Sequence, residues 1–168
     1  MRGREVDVVL YSRNDPTSKS QSELIRANLG RIGIRVDVKL YSFSVVINKA
    51  GTRGEPFDMF LIGWFADYPD PYDFINVLLY GKTIRKSNNI NAAYFNDPVF
   101  NRRMERAALT TGDARAATYA ALDRDLTREA PFVVYGNATT RELISAKVGC
   151  VVRSAPVGGI NLTMLCRK

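Results

Sequence analysis

The sequence predicts an α/β fold: a mixed, mostly parallel sheet flanked by helices. Three observations carry that prediction. Residues 5–41 read as strand, helix and strand, the spacing of a βαβ unit. Phe57 to Gly63 is a nearly unbroken apolar run, as in a strand buried on both faces. A helical pair and several weaker strand candidates then follow.

Glu5 to Tyr11 alternates and then turns apolar at Val8, Val9 and Leu10, which marks a strand. Asp15-Pro16 offers a helix cap and a residue preset for the first turn. Ser20 with Glu23 is a competing capping box slightly later. Either start places Leu24, Ile25, Leu29 and Ile32 on one face, and Gly33 is expected to end the helix as a left-handed cap. Ile34, Val36, Val38 and Leu40 then alternate with Arg35, Asp37 and Lys39, a second strand parallel to the first.

Ser42 to Lys49 suits a short helix, and Gly51 to Pro56 a loop. After the apolar run, Trp64 to Pro71 is interrupted by two prolines and cannot be regular. Asp73, Phe74, Val77 and Leu78 suggest a short helix ending at Gly81, and Lys82 to Asn91 is polar and expected to be mobile. Asp97-Pro98 repeats the cap-plus-proline start. It leads into Phe100, Met104 and Ala108, and Gly112-Asp113 restarts a helix lined by Tyr119, Leu122 and Leu126. Beyond Ala130-Pro131 the strand candidates are Phe132–Tyr135, Glu142–Ser145, Val148–Val152 and Ile160–Leu165, separated by Gly149, Pro156 and Gly158-Gly159.

The 168 residues are 46% hydrophobic and 24% charged, an ordinary globular balance for one domain or one lobe of something larger. The longest apolar run, Met59 to Ala66, falls far short of the about 20 residues a membrane span needs. Met-Arg-Gly-Arg-Glu at the start is no signal peptide, so if the parent protein is exported its signal is expected outside this sequence. The net charge of +7 is spread along the chain, its densest cluster being Arg102, Arg103 and Arg106 beside Glu105. A nucleic-acid stripe would be tighter and interleaved with aromatics.

Histidine is absent, which removes Ser-His-Asp and Cys-His nucleophile systems and histidine-based metal sites. Asp123 and Asp125 lie two apart on a helix and point to different faces, so they form no acid/base pair. No glycine-rich phosphate loop occurs, and Gly158-Gly159 lacks its signature. No cofactor and no metal is expected. Cys150 and Cys166 lack CxxC spacing; two small buried hydrophobes is the plainer reading, and a disulfide joining late strands the other. Asn137-Ala138-Thr139 and Asn161-Leu162-Thr163 match a glycosylation sequon too common to decide anything.

The richest candidate site follows the apolar run. Trp64 offers a flat apolar wall and Asp67 an acceptor for a cationic group, with Phe65 and Tyr68 as neighbours. From spacing alone, a packed tryptophan with Asp67 as a turn-former or cap for the helix near Tyr72 is the plainer reading.

The stretch Phe57-Asp58-Met59-Phe60-Leu61-Ile62-Gly63-Trp64-Phe65-Ala66-Asp67-Tyr68-Pro69-Asp70-Pro71 resembles the family 5 solute-binding proteins of ABC importers. Leu24 to Val38, Tyr94-Phe95-Asn96-Asp97-Pro98, and Arg115 to Tyr119 through Ala130-Pro131 are similar to further family elements in the right order. The resemblance implies a binding protein and not an enzyme. It implies one lobe of a periplasmic-binding-protein-like clamshell (type II, class C), with residues 1–168 as a single C-terminal ligand-binding lobe. The N-terminal lobe, export signal and lipid anchor would lie elsewhere in the receptor.

The implied partners are a peptide or other small solute, the N-terminal lobe and the importer's permease subunits, with no nucleic acid. The implied location is periplasmic or extracellular, at the membrane. In peptide-binding members the Asp of the Ala-Asp loop pairs with the ligand's amino group, which carries onto Asp67, and Trp64 carries over as a cleft wall. The weaker alternatives are a carboxylate-using α/β hydrolase and a basic nucleic-acid-binding domain.

Overall fold

A computed structural model describes residues 6–137, 139, 141–154 and 159–168. Glu5, Ala138, Pro156 and Gly158, which entered the sequence expectations, lie outside the described residues. The chain forms two compact units, Met1–Gly63 with Thr83–Ala92 and Trp64–Lys82 with Ala93–Lys168.

The first unit is the βαβ element. Strand β1 (Val6–Arg13) pairs in parallel with β2 (Ile34–Tyr41) along its whole length, Val6 opposite Ile34 and Arg13 opposite Tyr41. Helix α1 (Pro16–Gly30) crosses between them. Its start is set by Asp15, whose carboxylate accepts the Ser18 N–H at 3.0 Å, so the first of the two competing caps operates. The helix ends at Gly30, earlier than expected. The N–H groups of Ile32 and Gly33 turn back to the carbonyls of Leu29 and Gly30, and Gly33 takes the left-handed φ of 85° inside that turn.

Strand β3 (Met59–Phe60) adds in parallel on the other side of β1, giving the order β2-β1-β3. It is much shorter than the expected Phe57–Gly63 strand: Ile62 and Gly63 are exposed and have left the ladder. Because side chains alternate along a strand, the sheet has two covered faces. Leu10, Val36 and Leu61 pack with Ile25 and Leu29 of α1 on one. On the other, Tyr11 and Tyr41 meet edge to face at 5.1 Å, and Lys49 of α2 (Phe43–Ala50) sits 5.8 and 5.4 Å from the two rings.

Glu55 accepts from Lys49 Nζ at 2.9 Å and from the Tyr11 hydroxyl at 3.2 Å. Burial pushes the Tyr11 phenol up to about 12, with its neighbours Tyr41 and Glu55 adding to the shift. The 82–91 stretch expected to be mobile is instead pinned over Thr83–Asn91. The Asn89 side chain accepts from Arg85 N–H and donates to the carbonyls of Gly51 and Arg85.

The second unit is helical at its core. Helices α3 (Tyr72–Leu79), α4 (Pro98–Ala108) and α5 (Gly112–Glu129) bury Ile75, Leu79, Phe100, Met104, Ala107, Tyr119, Leu122 and Leu126 against one another. Asp97 caps α4 from its side chain to Val99 N–H and Phe100 N–H, as its sequence position suggests. Asn76 stitches the three helices together, donating to the Met104 carbonyl at 3.2 Å and accepting from the Tyr119 hydroxyl at 3.0 Å.

After α5 the expected strands mostly fail. Phe132–Tyr135 makes no strand, and Val133, Val134 and Tyr135 stand exposed. Glu142–Ser145 is likewise irregular. Two short antiparallel pairs remain: β4 (Val148–Gly149) with β7 (Cys166–Arg167), and β5 (Arg153–Ser154) with β6 (Gly159–Ile160). Cys150 and Cys166 are joined in a disulfide, Cα atoms 5.3 Å apart, so the reading of two unpaired buried thiols is corrected. The spacing of the cysteines in sequence carried no sign of this, because the contact is made by the β4–β7 pairing.

Candidate functional site

The site lies in the second unit, on the loop from Trp64 to Pro71 and the first turn of α3. Proline at 69 and 71 keeps this segment from regular structure, and Asp70 organises its end. The Asp70 N–H bonds to the Tyr68 carbonyl at 2.8 Å, and the Asp70 carboxylate accepts the Tyr72 N–H at 2.8 Å. That is an Asx-type start for α3. The same carboxylate grips Arg115 from α5 through Nε at 2.8 Å and Nη2 at 2.7 Å. The guanidinium, chiefly through its hydrogen bond, holds the Asp70 carboxyl below the usual carboxylate range. Arg115 also donates to the carbonyls of Ala107, Ala108 and Thr110 at the end of α4 and lies 4.8 Å from the Tyr119 ring centre.

Asp73 is the second organiser. Its side chain is 1% exposed, and one oxygen, Oδ2, accepts both the Trp64 indole N–H at 3.1 Å and the Asp67 backbone N–H at 2.9 Å. Its position in the first turn of α3 places the carboxylate where the helix favours negative charge. The other oxygen, Oδ1, is buried and has no hydrogen-bond partner.

All four sequence-predicted residues lie on this loop, with different exposures. Trp64 is half-buried and tied by its indole N–H. Asp67 is exposed; its backbone is fixed, while its carboxylate makes no hydrogen bond or ion pair among the described residues. The duties of a turn-former and helix start fall to Asp70 and Asp73, not to the Asp67 side chain. Phe65 is 70% exposed and Tyr68 41% exposed. The Tyr68 phenol is raised above its ordinary value, first by desolvation and then by the charges of Asp73, Asp70 and Asp67 around it.

The sequence alone places Asp73 only in a helix and assigns Asp70 and Arg115 no role at the site. The signal available for Asp73 was a carboxylate in the first turn of a largely apolar helix; its partners, nine and six residues back, are set by the loop's path. Among the described residues, no cluster of acidic, cysteine or histidine side chains is arranged to hold a metal ion. No helix among them is long and apolar enough to cross a membrane.

The family model for bacterial extracellular solute-binding proteins, family 5, middle region, matches residues 2–86. Heme-binding protein A of Haemophilus influenzae is 28% identical over 142 residues, 84% of this chain and 25% of that protein. The periplasmic oligopeptide-binding protein of Escherichia coli is 26% identical over 145 residues, again 84% of this chain and 25% of that protein. The chain therefore spans about a quarter of the curated relatives it matches.

Among solved structures, the clavulanic acid biosynthesis oligopeptide binding protein 2 superposes with a TM-score of 0.87 at 21% identity. The match covers 96% of this chain and 30% of that one. A dipeptide binding protein from Pseudoalteromonas in complex with Met-Leu gives a TM-score of 0.72 at 24% identity, over 99% of this chain and 34% of that one. The α/β fold, with its parallel sheet flanked by helices, is that of the periplasmic binding proteins. The chain belongs to family 5 of the bacterial extracellular solute-binding proteins.

Proposed function

We propose that this chain is a ligand-binding lobe of an exported receptor that captures a small peptide by its free amino end and presents it to an ABC importer. The observation that carries the proposal is the state of Asp67. Its backbone is locked to Asp73, while its carboxylate is exposed and left without a partner among the described residues. A carboxylate carried on a fixed backbone, with no structural duty of its own, suits a ligand ammonium. Trp64, fixed by the same Asp73 oxygen, supplies an apolar wall, and Phe65 and Tyr68 stand exposed on the same loop.

Closing a second lobe over the peptide would remove water from this pairing. A buried cation needs an anion beside it, and one short loop supplies it. Side chains of the ligand vary, so the remaining contacts would be backbone hydrogen bonds and roomy pockets. The rest of the receptor would contribute the N-terminal lobe and the membrane anchor, and permease subunits would accept the solute. The Cys150–Cys166 disulfide favours an oxidising compartment, outside the cytoplasm. The role is binding, with no chemical step.

Named relatives bind oligopeptides, dipeptides and heme, so the solute class is the point to test. The experiment is calorimetric titration of the intact receptor with di- to pentapeptides, with hemin, and with a nickel–histidine complex. Saturable binding of peptides carries the proposal. Binding of hemin or the nickel complex, with none of any peptide, would overturn the peptide assignment.

A further inference from the structure

Among the described residues, Asp73 is the one buried side chain with a formal charge. No basic group pairs with it, and its Oδ1 has no hydrogen-bond partner. A buried, unpaired carboxylate oxygen destabilises a fold. Packing does not ask for it, because the α3 core is built from Ile75, Leu79 and their partners on α4 and α5. What Asp73 does is confined to Oδ2, which holds the Trp64 indole and the Asp67 backbone together from one point.

We infer that Asp73 is the positioning residue of the solute site, fixing the Trp64 wall and the backbone that carries the Asp67 side chain relative to each other before a ligand arrives. The inference rests on the reading of Asp67 as the ligand anchor. Without the shared acceptor, the indole is free to turn about its side-chain torsions and the Asp67 peptide unit is free to rotate. The carboxylate and the wall then have to be ordered at the expense of ligand affinity.

Asparagine is the conservative replacement, since its single carbonyl oxygen can accept both N–H groups while the charge is lost. Alanine removes the acceptor. The chain has one tryptophan, so its indole N–H is a single resonance in a proton–nitrogen spectrum. That signal and the Asp67 amide report the two bonds directly.

The test compares wild type, Asp73→Asn and Asp73→Ala, with circular dichroism as the check of folding. In Asp73→Asn both resonances should move together, because both lose a charged acceptor. In Asp73→Ala both should exchange freely with water and Trp64 should become more accessible to acrylamide. Folded Asp73→Ala with unchanged signals would overturn the inference. If Asp73→Ala does not fold, Asp73→Asn decides: two unmoved resonances would overturn it.

The functional arm measures peptide affinity in the intact receptor. Asp73→Ala should weaken it roughly 10- to 100-fold, the loss expected for hydrogen bonds to a charged group, and Asp73→Asn should recover most of that loss. A folded Asp73→Ala receptor that binds peptide as wild type does would remove the positioning role and leave the peptide reading intact. A wild-type receptor that binds no peptide would remove the peptide reading, while the two resonances would still decide the role of Asp73.

Discussion

Asp70 holds Arg115 through both carboxylate oxygens across 45 residues of sequence, at 2.8 Å to Nε and 2.7 Å to Nη2. The pair joins the site loop to α5, and through the Arg115 contacts to the α4 carbonyls it joins the end of α4 as well. The Asp70 carboxyl is held below its usual value of 3.8 in the folded protein. The folded state therefore binds this proton less readily than the unfolded chain. The stabilisation is whole above that usual value and fades as pH falls through the lower folded-state value. Asp70→Asn keeps the acceptor for Tyr72 N–H but loses the charge. It should cost about 1–3 kcal/mol at pH 7, and the gap to wild type should narrow below pH 3.8. Urea unfolding of both proteins across that range checks it; a gap independent of pH would count against the pairing.

Gly81 is fixed by close approach. A Cβ there would clash with Asn96 Oδ1 and lie 2.6 Å from Asn96 Cα, and the Gly81 N–H donates to Asn101 Oδ1 at 2.9 Å. Since one of the clashing atoms is backbone, Gly81→Ala should force the turn apart and cost about 1–3 kcal/mol or more. A melting temperature equal to that of wild type would contradict this close approach of Gly81 to Asn96.

The Tyr119 hydroxyl is a buried donor to Asn76, whose amide in turn serves the Met104 carbonyl. Tyr119→Phe keeps the ring, and with it the Arg115 stacking, but leaves the buried Asn76 oxygen unpaired. The expected loss is about 1–3 kcal/mol, read by denaturant unfolding. Neutral behaviour would mean that Asn76 finds another donor.

The disulfide closes a short loop between residues 16 apart. In the chain-entropy account, a loop of this size stabilises by about 3 kcal/mol. Reduction should first open the β4–β7 pair, seen as faster hydrogen exchange at Lys168, whose N–H bonds to the Lys147 carbonyl. Iodoacetamide should label neither cysteine before reduction and both after it. Labelling of unreduced protein would contradict the pairing.

What the sequence made legible is what is local. The Asp15-Pro16 and Asp97-Pro98 starts work as expected because an N-cap depends only on the next three residues. Strand β2 is found at its expected bounds because its alternation is long and regular. The expected Phe132–Tyr135 strand fails for the opposite reason. Its residues suit a strand, but a strand also needs an edge to pair with, and no partner pairs with it among the described residues. At the site, Trp64 and Asp67 stand out because residue type and loop chemistry are visible in one short run. Asp73 does not, since its role depends on how the loop folds back, and Arg115 sits 45 residues from the carboxylate it binds.

The Asp67 anchor is tested most directly by calorimetry on the intact receptor with one peptide in two forms, amino end free and amino end acetylated, against wild type and Asp67→Asn. The substitution removes the charge and keeps the shape. The expected loss is about 2–5 kcal/mol for the free peptide, as for one partner of a desolvated charge pair, and much smaller for the acetylated one. Equal losses for the two peptides would contradict the anchor and leave Asp67 without a part in recognising the amino end.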